Sequence, residues 1–326
     1  MLPEALRGFA SYREWLESEE EFQGRIVFAR LLPRRPPRPA PYEGAFAGVV
    51  RALGLLPFAH QVAALKEVEA GRNVVMAYST AAGKSLVFQV PVLKAALEGG
   101  TSLLLFPTKA LAHDQLRRLK AMAEALGVKG VFPYDGDTPG PTRRAAREGG
   151  LVLLSNPDML HHGLLPRHGE WASFLSRLRY LVLDELHAYR GVFGTHVALV
   201  LFRLLRLARR YGANPQVIAA SATIQNPKAH AETLTGLPFL ELWEEMARSE
   251  RELLVLLPKP LDRKGERRRS PLLEAAHLAR VLAERGLKAL VFANARKSAE
   301  LIARYAAHPL VRPYRCLLYT SDAADE

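Results

Sequence analysis

Between Asn73 and Thr223 the chain alternates between two kinds of segment. Short, nearly unbroken apolar runs ("NVVMAY", "TSLLLFP", "GVFPYDG", "GLVLLSNP", "RYLVLDE" and "QVIAASAT") are bounded by Gly, Pro, Asn or charged residues. Their brevity and continuity predict parallel strands covered on both faces. Between most of them lie segments of helical period. "KALAHDQLRRLKAMAEALG" is amphipathic and stops at Gly127, a residue suited to left-handed backbone after a helix. Strand–helix alternation predicts an α/β fold: a doubly wound parallel sheet flanked by helices.

The flanks read differently. "LLPRRPPRPAPYEG" (Leu31 to Gly44) is Pro-rich and cannot be a helix interior, so it reads as an extended lead-in. After "LTGLPFLELW" the pattern loosens, and "DRKGERRRS" (Asp262 to Ser270) is a charge-dense linker. A helix "PLLEAAHLARVLAERG", a strand "KALVFAN" and a helix "RKSAELIARYAA" then start a second α/β unit. The expected layout is an extension over 1–45, a first domain over 46–245 and a linker over 246–270, then the incomplete second domain over 271–313 and a non-native tail over 314–326. The ending "CLLYTSDAADE" shifts abruptly in composition and resembles translated adapter read-through; the expectation is a truncated N-terminal fragment, the alternative a disordered native tail.

A net charge of +12 and a pI near 9.9 favour a polyanionic partner, most simply nucleic acid, against a merely solvated Arg-rich surface. The single cysteine, Cys316, excludes an internal disulfide or a cysteine-based metal site and suits a reducing cytoplasm. The acidic start has no signal-peptide pattern. The most apolar stretch, "HVALVLFRLLRLARR", is interrupted by Arg203 and Arg206, so no membrane partner is expected.

"AYSTAAGKS" (Ala77 to Ser85) sits between a predicted strand and a predicted helix. That is the setting in which backbone N–H groups and a helix N-terminus cradle phosphates. Gly83 allows close approach, Lys84 supplies a point charge and the Ser85 hydroxyl a Mg²⁺ ligand; the alternative is a structural turn. Tyr78 stands where the usual pattern has Gly. "RYLVLDELHAY" ends a strand in Asp184 and Glu185. Asp184 is placed to hold Mg²⁺ and Glu185 to deprotonate a water, unless the pair is only solvated. "AASATIQNP" brings Ser221 and Thr223 to another strand end, where hydroxyls can bond His187. Gln61, in "LLPFAHQVAAL", carries an amide able to read adenine, although a helix-face Gln is ordinarily solvated.

In the order Gln61, "STAAGKS", "FPTKALAHDQ", "SNPDML", "DELH", "SAT" the chain resembles superfamily 2 helicases of the DExH type, and within them the YprA/MrfA-like subgroup, over roughly Leu31 to Ala307. The resemblance implies a RecA-like P-loop domain followed by the start of a second RecA-like domain. It also implies an ATP-dependent DNA helicase or translocase, moving 3′→5′ and serving repair, with ATP and Mg²⁺ as cofactors. Catalytic residues would be Lys84, Asp184, Glu185 and His187. Nucleotide would be held by Gln61, Ser79, Thr80, Ala81, Ala82, Gly83, Lys84 and Ser85, with Mg²⁺ at Ser85 and Asp184. Ser221, Ala222 and Thr223 would couple hydrolysis to strand movement. Single-stranded or forked DNA would contact Pro107, Thr108, Lys109, Asp137, Thr138, Ser155, Asn156, Pro157 and Asp158. Arg190 would either hold the loop after the acidic pair or touch the strand. The chain departs from the subgroup at Tyr78 and Gln225, and it carries no segment corresponding to the second domain's arginine finger. Slow hydrolysis is therefore expected of these residues alone. An RNA helicase and a non-motor, nucleotide-responsive nucleic-acid-binding module are the alternatives.

Overall fold

A computed structural model describes residues 4–36, 38–78, 82–222, 224–242, 249–262, 264 and 266–313. In chain order the elements are α1 (Tyr12–Ser18), β1 (Ile26–Leu32), α2 (Ala47–Ala52), α3 (Ala59–Glu69), β2 (Val74–Ala77), α4 (Lys84–Leu97), β3 (Thr101–Leu105), α5 (Lys109–Ala125), β4 (Val131–Tyr134), α6 (Gly140–Gly149), β5 (Val152–Ser155), α7 (Pro157–Met159), α8 (Ala172–Ser176), β6 (Leu178–Leu183), α9 (Gly191–Arg210), β7 (Gln216–Ser221), α10 (Pro227–Thr235), β8 (Leu240–Leu242), β9 (Arg251–Leu256), α11 (Pro271–Glu284) and α12 (Arg296–Ala306). They divide into two compact units, one of residues 35–248, the other of residues 1–34 with 249–326.

The larger unit is built on a seven-stranded sheet of order β4-β5-β3-β6-β7-β2-β8. Every pairing in it is parallel. Strand side chains alternate faces, and the apolar runs serve both. Val74, Met76, Leu104, Val152, Leu154, Val182, Ile218 and Ala220 enter one core with helices α2 to α5. Their sequence neighbours Val75, Leu103, Leu105, Leu153, Leu181, Leu183, Val217 and Ala219 enter the other, under α9 and α10. This is the doubly wound α/β arrangement expected of the six runs. An eighth strand of the chain, β8, is too short to signal itself in sequence and joins the edge beside β2.

Local signals set the boundaries. Thr108 caps α5, accepting from Leu111 N–H at 3.5 Å. Asn156 caps α7, accepting from Met159 N–H at 2.8 Å. Helix α9 is 20 residues long and, by length and composition, apolar enough to cross a membrane. Its Val197, Leu201, Leu204 and Leu205 are buried in the core, while Arg203 and Arg206, which break the apolar stretch in sequence, lie on its exposed side.

In the smaller unit β1 pairs antiparallel with β9, Ile26 opposite Leu256 and Leu32 opposite Arg251. Leu6, Trp15, Leu16 and Phe22 form its core, with Ile26, Leu254 and Leu278 against them. Arg25, 7% exposed, ion-pairs with Glu274, 5% exposed. Its Nε also donates to Leu257 O at 2.9 Å, and Glu274 accepts from Lys259 N–H at 3.1 Å. "KALVFAN", expected as a strand, carries no strand pairing: Leu290 is 84% and Phe292 90% exposed. A strand needs a laddered neighbour to persist, and none lies beside it among the described residues.

Candidate functional site

The loop after β2 is braced from α3. Tyr78 is 2% exposed and belongs to the core under α4. The His60 ring meets Tyr78 edge-on at 5.4 Å, and His60 Nε2 lies 2.9 Å from Ala82 O. Gln61, 4% exposed, is not solvated: Oε1 accepts from Phe58 N–H at 2.8 Å, and Nε2 donates to Gly83 O at 2.9 Å. Each end of the amide keeps one further bonding position. Gly83 sits at φ +72, and a Cβ there would stand 2.4 Å from Gln61 Nε2. Left-handed backbone and lack of space both call for glycine. Ser79, Thr80 and Ala81 lie outside the described residues.

Helix α4 begins at Lys84. The Lys84 ammonium donates to Tyr78 O at 2.9 Å, folding back across the loop. Burial pulls its pKa down, and the Glu185 and Asp184 carboxylates push it back up. Ser85 Oγ accepts from Gln115 Nε2 at 3.2 Å, and Gln115 Oε1 from Gln89 Nε2 at 3.1 Å. His60 and Gln115 are site residues that the sequence reading did not single out. Each stood inside a quoted motif, "AHQ" and "KALAHDQ", but nothing in sequence shows which loop atom a side chain meets.

The acidic pair ends β6. Asp184 N–H donates to Leu105 O at 3.0 Å, the last rung against β3. Asp184 is 8% exposed, and its Oδ1 accepts from Glu185 N–H at 2.9 Å. Burial pushes the Asp184 carboxyl up to about 6; the Glu185 charge adds to this, and the Glu185 N–H and Lys84 oppose it. Glu185 lies at φ +49, a left-handed conformation unusual for a residue with a side chain. Such strain is characteristic of functional turns. His187 Nδ1 stands 3.2 Å from Glu185 Oε2 and 3.4 Å from Ser221 Oγ. Ser221 ends β7, directly opposite Ala77 of β2. Thus β7 lies between the phosphate-loop strand and the acidic strand. Ala222 is half-buried, and Thr223 lies outside the described residues.

The residues assigned to nucleic acid sit at the carboxyl ends of β3, β4 and β5, three adjacent strands. Within these loops the assigned residues divide into two sets. Thr108, Lys109, Asp137 and Asp158 are exposed, and Lys109 Nζ pairs with Asp137 at 2.6 Å. Thr138, Ser155 and Pro157 are buried, and Asn156 is half-buried with its side chain used as a cap. The Thr138 hydroxyl donates to Asp135 Oδ1 at 3.0 Å, and Ser155 Oγ donates to Tyr134 O at 2.5 Å. Their side chains shape the loops from inside; Pro107 is half-buried between the two sets. Asp135 is the hub of the β4–α6 loop: it also meets His113 Nε2 at 2.9 Å and accepts from Asp137 N–H at 2.9 Å. Hydrogen bonds from His113, Thr138 and Asp137 hold its carboxyl below the usual range against its burial.

The DEAD/DEAH box helicase family matches residues 58–231, more than half of the chain. This chain belongs to that family. The match contains every loop described above, from Gln61 to Ser221. Among its relatives are the ATP-dependent helicase YprA of Bacillus subtilis, 41% identical over 249 residues, and the ATP-dependent helicase HRQ1 of Saccharomyces cerevisiae, 35% identical over 254. Each alignment covers 75% of this chain, but only 33% of YprA and 24% of HRQ1. A solved structure of the DUF1998 helicase MrfA bound to DNA superposes with a TM-score of 0.82 at 35% identity, covering 90% of this chain and 40% of MrfA. The chain therefore spans about a third of the length of YprA. The helicase sheet accounts for the parallel order seen here, and the DExH sequence takes the form Asp184–Glu185–Leu186–His187.

Proposed function

We propose that this DEAD/DEAH box helicase chain is the ATP-binding motor portion of a DNA helicase or translocase. One observation carries the reading: a single sheet edge holds both sets of candidate residues side by side. Lys84 and Ser85, Ser221, and the Asp184–Glu185 pair follow the adjacent strands β2, β7 and β6. The loops of β3, β5 and β4 continue that edge with Thr108, Lys109, Asp137 and Asp158 exposed. Ligands of open α/β sheets bind outside the carboxyl ends of the strands. The relatives favour DNA, since MrfA has been solved bound to DNA and also to DNA with AMPPNP.

The residues fit a magnesium nucleotide. The αL turn at Gly83 leaves backbone free to approach phosphate, and the buried Asp184 carboxylate has strong reason to accept a cation. Lys84, Ser85 and Asp184 would hold Mg–ATP; the cation would neutralise charge on the β- and γ-phosphate oxygens. Lys84 would exchange its bond to Tyr78 O for phosphate oxygen. Glu185 would accept the proton of the attacking water, its carboxylate aimed by the αL turn. His187 Nδ1 faces both Glu185 and Ser221, so a change at the acidic pair is felt at the end of β7. Movement 3′→5′ and a role in repair follow from the resemblance to the YprA/MrfA-like subgroup.

The test is nucleotide binding by this chain, and DNA-stimulated turnover in the full-length protein. Lys84→Ala is expected to weaken ATP binding by at least about tenfold, the loss of one charge-assisted bond. In the full-length protein, Glu185→Gln should keep ATP affinity and abolish hydrolysis. Turnover retained by the Gln variant removes Glu185 from the base role. Stimulation by single-stranded RNA but not DNA replaces the DNA reading with the RNA one.

A further inference from the structure

Lys109 opens helix α5, and no acidic residue stands in the first turn of that helix. A cation at a helix N-terminus opposes the helix dipole, so its charge is not placed there to stabilise the helix. The negative charge comes from a neighbouring loop instead. Asp137, between β4 and α6, meets Lys109 Nζ at 2.6 Å. Both side chains are open to solvent, 46% exposed for Lys109 and 70% for Asp137. The Asp137 carboxylate makes this one bond among the described residues.

The carboxylate two positions earlier has a different place. Asp135 is 2% exposed. Its Oδ1 accepts from Asp137 N–H at 2.9 Å and from the Thr138 hydroxyl at 3.0 Å, and its Oδ2 lies 2.9 Å from His113 Nε2. From α6, Arg143 Nη2 donates to Asp135 O at 3.0 Å and to Gly136 O at 2.9 Å. The loop backbone is therefore fixed without the Asp137 side chain. The ion pair to Lys109 adds little to it, because exposed pairs contribute little to stability. Lys109 thus has two anions to choose between: the carboxylate held beside it, or the phosphate of a bound strand. The exchange is cheap, since both side chains stay solvated throughout.

We propose that Asp137 is an internal competitor for phosphate: it engages Lys109 within the fold, and a nucleic-acid strand must displace it to bind at the loops after β3 and β4. The inference deepens the nucleic-acid reading of these loops and rests on it. It also changes the part assigned to Asp137, whose charge repels phosphate rather than binding it. Each strand that reaches Lys109 gives up one ion pair, so affinity is lowered without any change in the loop.

The experiment titrates a fluorescein-labelled single-stranded oligothymidylate with the 326-residue chain at a series of salt concentrations. Asp137→Asn keeps the N–H bonded to Asp135 and removes the charge. It should tighten binding about two- to fivefold at low salt, the equivalent of one exposed ion pair. It should also steepen the log–log salt dependence by up to about 0.7, one further counterion-releasing contact on a single strand. In the Lys109→Ala background the same substitution should lose most of its effect. Unchanged or weaker binding by Asp137→Asn overturns the proposal; a lower melting temperature alongside it would make the pair purely structural. An undiminished gain in the Lys109→Ala background overturns it too, since general charge and not competition would then be the cause. Lys109→Ala separates the two readings. If it changes nothing in either background, or the unsubstituted chain does not bind the strand, the nucleic-acid reading of these loops falls and this inference with it. If Lys109→Ala weakens binding while Asp137→Asn does not tighten it, only the competitor role of Asp137 falls.

Discussion

At Asp184 the fold holds a carboxylate that is 8% exposed beside a second carboxylate, and its pKa is raised from 3.8 to about 6. A carboxyl raised on folding favours its protonated form. Its stabilising share is complete below about pH 4 and is lost as pH rises through 6. At neutral pH the ionised group therefore costs up to about 3 kcal/mol, two pKa units at 1.36 kcal/mol each. Asp184→Asn keeps an oxygen for Glu185 N–H and removes the charge. It should raise the melting temperature at pH 7.5 by roughly 5–10 °C, with the gain gone at pH 4. An equal gain at both pH values would show that the charge is not its source. The same variant should lose the Mg²⁺ dependence of nucleotide binding, as cation-binding residues commonly exchange stability for function.

At the scale of elements, the β2–α4 loop depends on α3 as much as on its own residues. Gln61 bridges Phe58 N–H and Gly83 O, and Gly83 must be left-handed where the bridge lands. Gly83→Ala adds the αL penalty of about 1–2 kcal/mol and dislodges a buried amide bond worth roughly 1 kcal/mol. Chemical denaturation should show a loss of about 2–3 kcal/mol with weakened nucleotide binding. Gln61→Ala in the Gly83→Ala background removes the clash and should recover part of that stability. If the double variant is no more stable than the single one, the clash is not the cause. Tyr78 fits the same picture. A large side chain is accepted there because it points into the core against His60, away from the loop face.

For the whole molecule, the first 34 residues belong to the same compact unit as residues 249–326. The Arg25–Glu274 pair ties the residue before β1 to α11 within that unit. Removing one partner of a buried ion pair leaves the other uncompensated, at about 3–5 kcal/mol. Glu274→Ala should therefore lower the melting of this unit, followed through Trp15 fluorescence, while leaving nucleotide affinity at the Lys84 site unchanged. Nucleotide affinity lost in proportion would show that the two units do not behave separately. Replacing the pair by Met and Leu should restore most of the stability, since the buried charges contribute little once both are gone.

Much of this protein was legible without coordinates. The six apolar runs predicted the strands because parallel strands buried on both faces must be apolar throughout. Short-range spacing places "GKS" between strand and helix and "DELH" at a strand end; the helicase domain itself came from the resemblance of the motif order, Gln61 to Ser221, to superfamily 2 helicases. What sequence could not reveal depends on partners distant along the chain. The β1–β9 ladder joins residues more than two hundred positions apart, and neither strand carries a pattern naming the other. "KALVFAN" has the composition of a strand, yet a strand exists only when a neighbour supplies its hydrogen bonds. The division of the residues assigned to nucleic acid into exposed Lys109 and buried Thr138 and Ser155 was likewise invisible, because a hydroxyl in sequence does not show which way it turns. Hydrophobic periodicity is local and survives in one dimension. Strand pairing, the bond from Gln61 to Gly83 O and the left-handed turn at Glu185 depend on the surrounding fold, and only the packed chain decides them.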